Sequence, residues 1–243
     1  MKKVFRLYRG DKTAGEYRDY EVEVGDGMVV LDGVHLVQEK HAPDLGVRWN
    51  CKAGKCGSCS AEINGKPKLM CMCRIGDLPD DKPITVAPMK AFPIVKDLVT
   101  DVSFNYEQNK KIKPFTPAKD TVWKMNQKDV DRVQEFRKCI ECFLCQDVCH
   151  VLRTHGKHDQ FYGPRFFVRT ASLDMHPLDT VDRVADLKEE GGIGLCNVTK
   201  CCTEVCPEHI RITDNAIIPM KERVADRYYD PIRTFFGKFT DRG

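Results

Sequence analysis

The first third of the chain is built from short runs of β-forming residues. Residues 3–9 and 20–24 are two such runs, separated by a glycine-bounded polar stretch over 10–15, and they predict two strands joined by a turn. Between residues 31 and 40 the apolar positions recur at helical spacing instead, which predicts one helix.

A second hairpin is predicted around residues 60–65. Asn64-Gly65 follows the run over 60–63, and both residues tolerate the positive φ of a tight hairpin turn. A further short apolar run lies at 84–86. We therefore predict a small α+β domain with two hairpins and one helix over residues 1–106.

The pattern becomes helical from Gln127 onward, and we predict a second domain over residues 127–243. Its further helix candidates are 166–173, 181–187 and 217–228. Residues 107–126 between the domains combine five lysines with Pro114 and Pro117. They predict a solvated linker, with a basic docking surface for an acidic partner or lipid headgroups as the alternative.

Composition narrows the function classes only a little. The chain of 243 residues is 42% hydrophobic and 31% charged, which is ordinary for a globular protein. No stretch approaches the roughly eighteen consecutive apolar residues that suggest a membrane span. The N-terminal residues lack a secretory pattern, and the net charge of +3 does not predict a nucleic-acid partner.

Cysteine content is the unusual feature. The chain has 13 cysteines, five between Cys51 and Cys73 and eight between Cys139 and Cys206. With no export signal, thiols clustered in this way predict metal ligands and not disulfides.

The first group has the plant-type ferredoxin spacing. Four residues separate Cys51 from Cys56 and two separate Cys56 from Cys59, which predicts a loop around a [2Fe–2S] cluster. The fourth thiolate must follow the hairpin, and spacing alone leaves both Cys71 and Cys73 open. A structural zinc site is the alternative, although such sites usually present paired C-x2-C knuckles.

The second group has the bacterial ferredoxin spacing, and a later group repeats it with one change. In such repeats the fourth cysteine of each run serves the other cluster. This rule predicts a [4Fe–4S] site whose four ligands are Cys139, Cys142, Cys145 and Cys206. It also predicts a second site with only three thiolates, namely Cys149, Cys196 and Cys202.

The three-thiolate site lacks a ligand because Thr199 occupies the second position of its run. A cluster corner without a thiolate can be lost, so we expect a [3Fe–4S] cluster here. Cys201 lies outside the template and is interpreted as a buried thiol, with a substitute ligand as the alternative. His150 stands where this run normally has proline, and no second histidine spacing completes another metal site.

Three clusters in one chain predict one-electron transfer, because such centres differ in potential and can be arranged as a relay. The sequence shows no G-x-G-x-x-G between a strand and a helix, so it predicts no flavin or nicotinamide site of its own. Electrons must therefore enter from one partner and leave to another.

The cysteine groups and their flanking residues resemble the iron–sulfur subunits of succinate dehydrogenase and fumarate reductase. The similarity covers nearly the whole chain. It includes Arg48-Trp49-Asn50-Cys51, Cys56-Gly57-Ser58-Cys59, residues 92–99 and Cys206-Pro207.

The resemblance implies a β-grasp [2Fe–2S] domain followed by an all-α ferredoxin domain. It implies Cys71 as the fourth [2Fe–2S] ligand and Cys73 as an extra thiol. It further implies a flavoprotein subunit carrying FAD, a membrane anchor subunit, and a peripheral position on the cytoplasmic face of the inner membrane.

The resemblance also implies quinone bound near the [3Fe–4S] cluster. Members of the family often have a tryptophan a few residues after the equivalent of Cys149, and this chain has none there. His150, Asn197 and Thr199 are the nearest candidate quinone contacts. The alternative functions are a soluble ferredoxin-like or thiol-linked fumarate reductase carrier and a zinc-stabilised interaction module.

Overall fold

The computed structural model describes residues 1–230, so residues 231–243 of the predicted second domain lie outside the described residues. The described chain is an α+β protein. Its strands are β1 (Lys2–Gly10), β2 (Gly15–Glu23), β3 (Ser60–Ile63), β4 (Lys66–Leu69), β5 (Ile84–Ala87), β6 (Ile94–Lys96) and β7 (Val99–Thr100). Its α-helices are α1 (Val30–Lys40), α2 (Ser103–Lys110), α3 (Gln127–Gln134), α4 (Leu144–Asp147), α5 (His150–Arg153), α6 (Pro164–Asp174), α7 (Val184–Glu189), α8 (Cys201–Glu204) and α9 (Ile218–Tyr228).

Five strands form one mixed sheet in the order β2-β1-β5-β3-β4. Strand β1 runs antiparallel to β2 and parallel to β5. Helix α1 packs against β1 and β2. Helix α1 buries Val30, Leu31, Val34 and Val37, as its spacing predicted. Its Gly33 leaves room for the Phe5 ring, since a β-carbon there would lie 2.1 Å from the ring.

The predicted Asn64-Gly65 hairpin is confirmed. Ser60 pairs with Leu69 and Ile63 with Lys66, and the two turn residues have φ of 49° and 76°. This turn folds the chain back, so that Cys71 returns toward the 51–59 loop. The predicted strand at 20–24 was too short, because pairing with β1 extends β2 back to Gly15.

The pair β6–β7 was not predicted from the sequence. Asp97 joins the two strands with φ of 51° and a buried side chain. Its carboxylate accepts hydrogen bonds from the backbone N–H groups of Gly10 and Gly46, both at 2.8 Å. These distant partners fix the small sheet against the large one.

Helices and loops form the described chain from Gln127 to Asp230, and they share a core that includes Phe161, Phe167 and Ile217. The predicted helix over 181–187 begins at Val184, because the Asp182 carboxylate accepts a hydrogen bond from the Val184 N–H at 2.9 Å and ends the preceding loop. No helix within residues 1–230 combines the length and the apolar character that crossing a membrane requires.

The basic connector is held against the helical half. The Arg183 guanidinium, only 2% exposed, donates hydrogen bonds to the carbonyl oxygens of Lys113 at 2.9 Å and Pro114 at 3.1 Å. The Lys111 Nζ donates to the Tyr162 hydroxyl at 2.8 Å. Hydrogen bonds therefore tie residues 111–116 to the helical half, although Lys111, Lys113, Pro114 and Thr116 are exposed to solvent. Val122 and Trp123 farther along are exposed as well.

The sheet and the helices meet through a buried acid. Glu62 on β3 is 1% exposed and lies between two cations, the guanidinium of Arg153 at 2.8 Å and the ammonium of Lys90 at 3.3 Å. Cys142 and Leu144 also pack into the core of the sheet. The two cysteine-rich regions are thereby brought side by side.

Candidate iron–sulfur centres

The 51–59 loop turns its backbone N–H groups toward sulfur. The N–H groups of Ala53 and Lys55 each lie 3.3 Å from the Cys51 Sγ. Gly54 and Gly57 allow this path, with φ of 66° and 68°. Amides in this arrangement stabilise negative charge on thiolates, as an iron–sulfur cluster requires.

The structure distinguishes between Cys71 and Cys73, the two candidates for the fourth thiol of this set. The N–H of Gly54 lies 3.3 Å from the Cys71 Sγ, and the N–H of Cys71 lies 3.5 Å from the Cys59 Sγ. Cys73 is also buried, but it lines a cavity of about 630 Å³ together with Leu144 and Arg153. Cys71 therefore joins the sulfur atoms of the loop.

The thiols of this loop differ in their tendency to ionise. Burial opposes ionisation of Cys56, but hydrogen bonds from Cys51 and Ser58 outweigh it and lower the pKa of Cys56 to about 6. Burial raises the pKa of Cys59 to about 12. The buried side of the loop therefore needs a positively charged group to hold a thiolate.

The second predicted ligand set lies together around one cavity. That cavity is lined by all four thiols, Cys139, Cys142, Cys145 and Cys206, and by Arg165. Burial raises the pKa of Cys142 to about 12 and that of Cys145 well above its usual range. Bound iron would supply the positive charge that lets these buried sulfur atoms lose their protons.

The third predicted set comes together as well. Burial, together with the nearby thiols of Cys201 and Cys196, raises the pKa of Cys149 to about 11. Burial likewise raises the pKa of Cys202 to about 12, with Cys201, Cys196 and Cys149 adding to the effect. Cys201 is half-buried beside this set, with its Sγ 3.3 Å from the Thr199 hydroxyl, whereas the sequence predicted a buried thiol.

Thr213 is a candidate functional residue that the sequence analysis missed. Its buried Oγ1 lies 3.4 Å from the Cys202 Sγ and accepts a hydrogen bond from the Thr203 hydroxyl at 3.1 Å. A Cys202 thiolate can only accept, so the remaining hydrogen of Thr213 is available to it. No spacing rule marks a threonine eleven residues beyond a cysteine.

The candidate quinone contacts lie around the third set. His150 is half-buried, with its ring centroid 6.2 Å from that of His155, while Asn197 and Thr199 are exposed. The Lys221 ammonium donates a hydrogen bond to the Cys196 carbonyl at 2.5 Å. The Lys221 ammonium and polar residues next to Cys149 and Cys196 in the sequence therefore lie near this set.

Each set has the donors that a cluster needs. Across residues 1–230, no three His, Cys, Asp or Glu side chains converge closely enough to hold a single metal ion. In a cluster each iron atom binds at most two of the thiolates, so no three side chains need to converge on one metal ion. The amide donors of the first set and the cavity enclosed by the second fit clusters of this kind.

Comparison with known protein families matches both cysteine-rich regions. Residues 2–107 match the family described as 2Fe-2S iron-sulfur cluster binding domain. Residues 135–210 match the family described as 4Fe-4S dicluster domain.

Individual relatives cover most of the chain. The succinate dehydrogenase iron-sulfur subunit of Bacillus subtilis is 32% identical, over 84% of this chain and 80% of its own length. The fumarate reductase iron-sulfur subunit of Mycobacterium tuberculosis is 30% identical, over 82% of each. A chain of the Mycobacterium smegmatis Sdh1 complex in the apo form superposes with a TM-score of 0.92 at 63% identity, over 95% of this chain and 98% of that one.

Some relatives are much longer than the matched region. An uncharacterized iron–sulfur protein of Methanococcus maripaludis is 29% identical over 90% of this chain, which spans 43% of that protein. A second long relative, from Methanothermobacter marburgensis and named for fumarate reductase (CoM/CoB), is 27% identical over 88% of this chain, which spans 42% of it.

Proposed function

This chain belongs to the family of iron–sulfur subunits of succinate dehydrogenase and fumarate reductase, and from that membership we propose that it relays single electrons between FAD and quinone in a membrane-bound complex. The FAD would be carried by a flavoprotein subunit. The quinone would bind where this chain meets a membrane anchor subunit, on the cytoplasmic face of the inner membrane.

We assign three ligand sets to this relay. Cys51, Cys56, Cys59 and Cys71 would hold a [2Fe–2S] cluster in a β-grasp domain, residues 1–106. Residues 127–243 would form an all-α ferredoxin domain, after the connector 107–126. In it, Cys139, Cys142, Cys145 and Cys206 would hold [4Fe–4S], and Cys149, Cys196 and Cys202 would hold [3Fe–4S].

The observation that supports this proposal best is the cavity lined by the four thiols of the second set. Cys206 reaches it from a distant part of the sequence, as the cross-ligation rule requires. When bound, the clusters supply reversible one-electron chemistry. The chain's own residues would bind the iron; they also bury Cys145 and direct amide N–H groups at the Cys51 sulfur.

The thiol-linked carrier receives less support. This chain matches about four-fifths of the length of the relatives that are named as succinate dehydrogenase or fumarate reductase iron-sulfur subunits. The relative named for CoM/CoB is spanned over 42%. Co-purification with a quinone-binding membrane subunit would distinguish the two functions.

Metal analysis and EPR spectroscopy test the proposal directly. Anaerobically purified protein should hold about nine iron and about ten sulfide atoms per chain, the content of the three clusters together. Low-temperature EPR should resolve three centres, including an oxidised [3Fe–4S] signal. Zinc without iron, or an intact preparation lacking that signal, would contradict the proposal.

Thr199→Cys should convert the third centre toward [4Fe–4S]. The substitution places a thiol at the second position of the run, which the native chain leaves without one. The potential of this centre should fall by on the order of 100 mV, within the roughly −700 to +450 mV span of such centres, and quinone reduction should slow. EPR-monitored redox titration measures the change.

Cys201→Ala is the matched control for that variant, because it removes the extra thiol near Thr199 without adding a ligand. It should leave the [3Fe–4S] signal intact. An unchanged spectrum in Thr199→Cys would count against the allocation of ligands.

Thr213→Val should lower the potential of the third centre by on the order of tens of mV. The hydroxyl can donate a hydrogen bond to the Cys202 sulfur, and losing this bond disfavours the more negative, reduced state. Redox titration of the EPR signal provides the measurement. Thr213→Ser keeps the hydroxyl and should retain the native potential; an equal fall in both variants would show that the hydrogen bond is not the cause.

A further inference from the structure

The first and second ligand sets are joined by one buried hydroxyl. Ser60 directly follows Cys59 in the sequence and is 7% exposed. Its Oγ lies 2.8 Å from the carbonyl oxygen of Cys142 and 2.9 Å from that of Gly57. The single hydroxyl hydrogen is thus shared between the two ligand loops, although Ser60 and Cys142 are 82 residues apart.

Gly57 lets the two loops approach to van der Waals contact. A β-carbon on Gly57 would lie 2.7 Å from the Cα of Cys142 and 2.9 Å from its nitrogen, closer than real β-carbons come. Gly57 also has a φ of 68°, a backbone conformation that residues with a side chain rarely adopt. Any other residue here would push the second loop away from the first.

The contact is shielded from water. Cys59, Cys142 and Leu144 belong to the same buried core beneath the sheet, at 3%, 9% and 1% exposure. A hydrogen bond in such a site has no competing solvent and keeps its geometry.

Within residues 1–230, the ion pairs that link the two halves do not involve a predicted ligand. They join Glu62 to Arg153 and Lys55 to Glu208. The Ser60 hydroxyl instead ends on the carbonyl of Cys142 itself. Only covalent bonds and this one hydrogen bond then separate the Cys59 sulfur from the Cys142 sulfur.

We propose that Ser60 is a positioning residue for electron transfer, which fixes and couples the first and second centres through its hydrogen bond to Cys142. This inference rests on the proposed function. One electron leaves the first centre, which is oxidised, and arrives at the second, which is reduced; no proton moves and no covalent bond changes. A path of covalent and hydrogen bonds couples an electron donor to its acceptor more strongly than empty space of the same length does.

Ser60→Ala in the purified complex tests the role. The complex is mixed with succinate, and freeze-quench EPR follows the loss of the oxidised third-centre signal in a single turnover. The electron must cross from the first set to the second to reach the third, so this loss should slow several-fold. The potentials of the three centres and the iron content should stay native.

Ser60→Thr retains the hydroxyl on a residue that suits the start of a strand, and it should restore the native rate. Ser172→Ala is the matched control, because the Ser172 hydroxyl also donates to a backbone carbonyl, that of Arg169, but on the exposed side of α6. It should not change the rate.

The outcomes separate this inference from the proposed function. A native rate in Ser60→Ala, or a rate change explained by shifted potentials, overturns the role of Ser60 alone. Native protein without iron and sulfide overturns the proposed function. If the Ser60→Ala complex fails to assemble, EPR of the reduced wild-type protein provides the test instead. The first and second centres should then show a spin–spin interaction, and its absence overturns the coupling.

Discussion

Removing iron from the protein is expected to unfold much of its helical half while the five-stranded sheet survives. Helices α4, α5 and α8 are each four residues long and border the predicted ligands. Helices shorter than about 12 residues are marginal in water on their own. In the proposed relay, iron–thiolate bonds would hold residues 139–149 to residues 196–206, and removing the iron would break them.

Far-UV circular dichroism and amide hydrogen exchange measure this outcome. Treatment with a chelator under anaerobic, reducing conditions should lower the helical signal and remove protection around Cys145 and Cys202. The amides of β1 should stay protected, because that strand pairs with both β2 and β5. Adding iron and sulfide back should restore the helical signal, and native protection in the iron-free protein would contradict the expectation.

Arg183→Ala is expected to lower the free energy of unfolding by about 3–5 kcal/mol. The side chains of Arg183 and Asp179 are 2% and 1% exposed, and they form an ion pair at 2.8 Å. The substitution leaves Asp179 as a buried charge without its partner. It also removes the hydrogen-bond donor of the Lys113 and Pro114 carbonyls, which hold the connector.

Chemical denaturation of the cluster-loaded protein provides the measurement, and amide exchange over 111–116 should rise with the loss of stability. Arg227→Ala is the matched control. Its partner Asp182 is 55% exposed and Arg227 itself is 43% exposed, so the cost should stay below about 1 kcal/mol.

Arg183→Met combined with Asp179→Leu should recover much of the loss. Replacing both partners of a buried ion pair with apolar side chains of similar volume changes the stability little. Leaving one of the two charges buried without its partner is strongly destabilising. A double variant as unstable as Arg183→Ala would mean that the hydrogen bonds to the connector, and not the buried charge, dominate the effect.

Local pattern was enough to predict several elements correctly. Helix α1 follows from its apolar spacing, and the β3–β4 hairpin follows from Asn64-Gly65, because both signals lie within a few residues of the structure they specify. The helix at 181–187 was placed too early. Its start depends on the hydrogen bond from the Val184 N–H to Asp182, a local contact that periodicity does not register.

The sheet β6–β7 was missed for a different reason. Asp97 holds a left-handed backbone there because its carboxylate receives hydrogen bonds from Gly10 and Gly46. These partners lie 87 and 51 residues away along the chain. No pattern within a short window of sequence contains them.

Cysteine spacing by itself determined that the chain carries three groups of thiols. Thr199 by itself determined that the last run lacks a cysteine at its second position. Spacing left Cys71 and Cys73 open and the resemblance implied Cys71; the tertiary structure shows that Cys71 meets the first loop. Only the tertiary structure decided that the connector bonds to Arg183 and that Ser60 reaches Cys142. The physical reason is the range of the interactions. A ligand spacing is a property of a few consecutive residues, whereas each of these contacts exists only after remote segments have packed together.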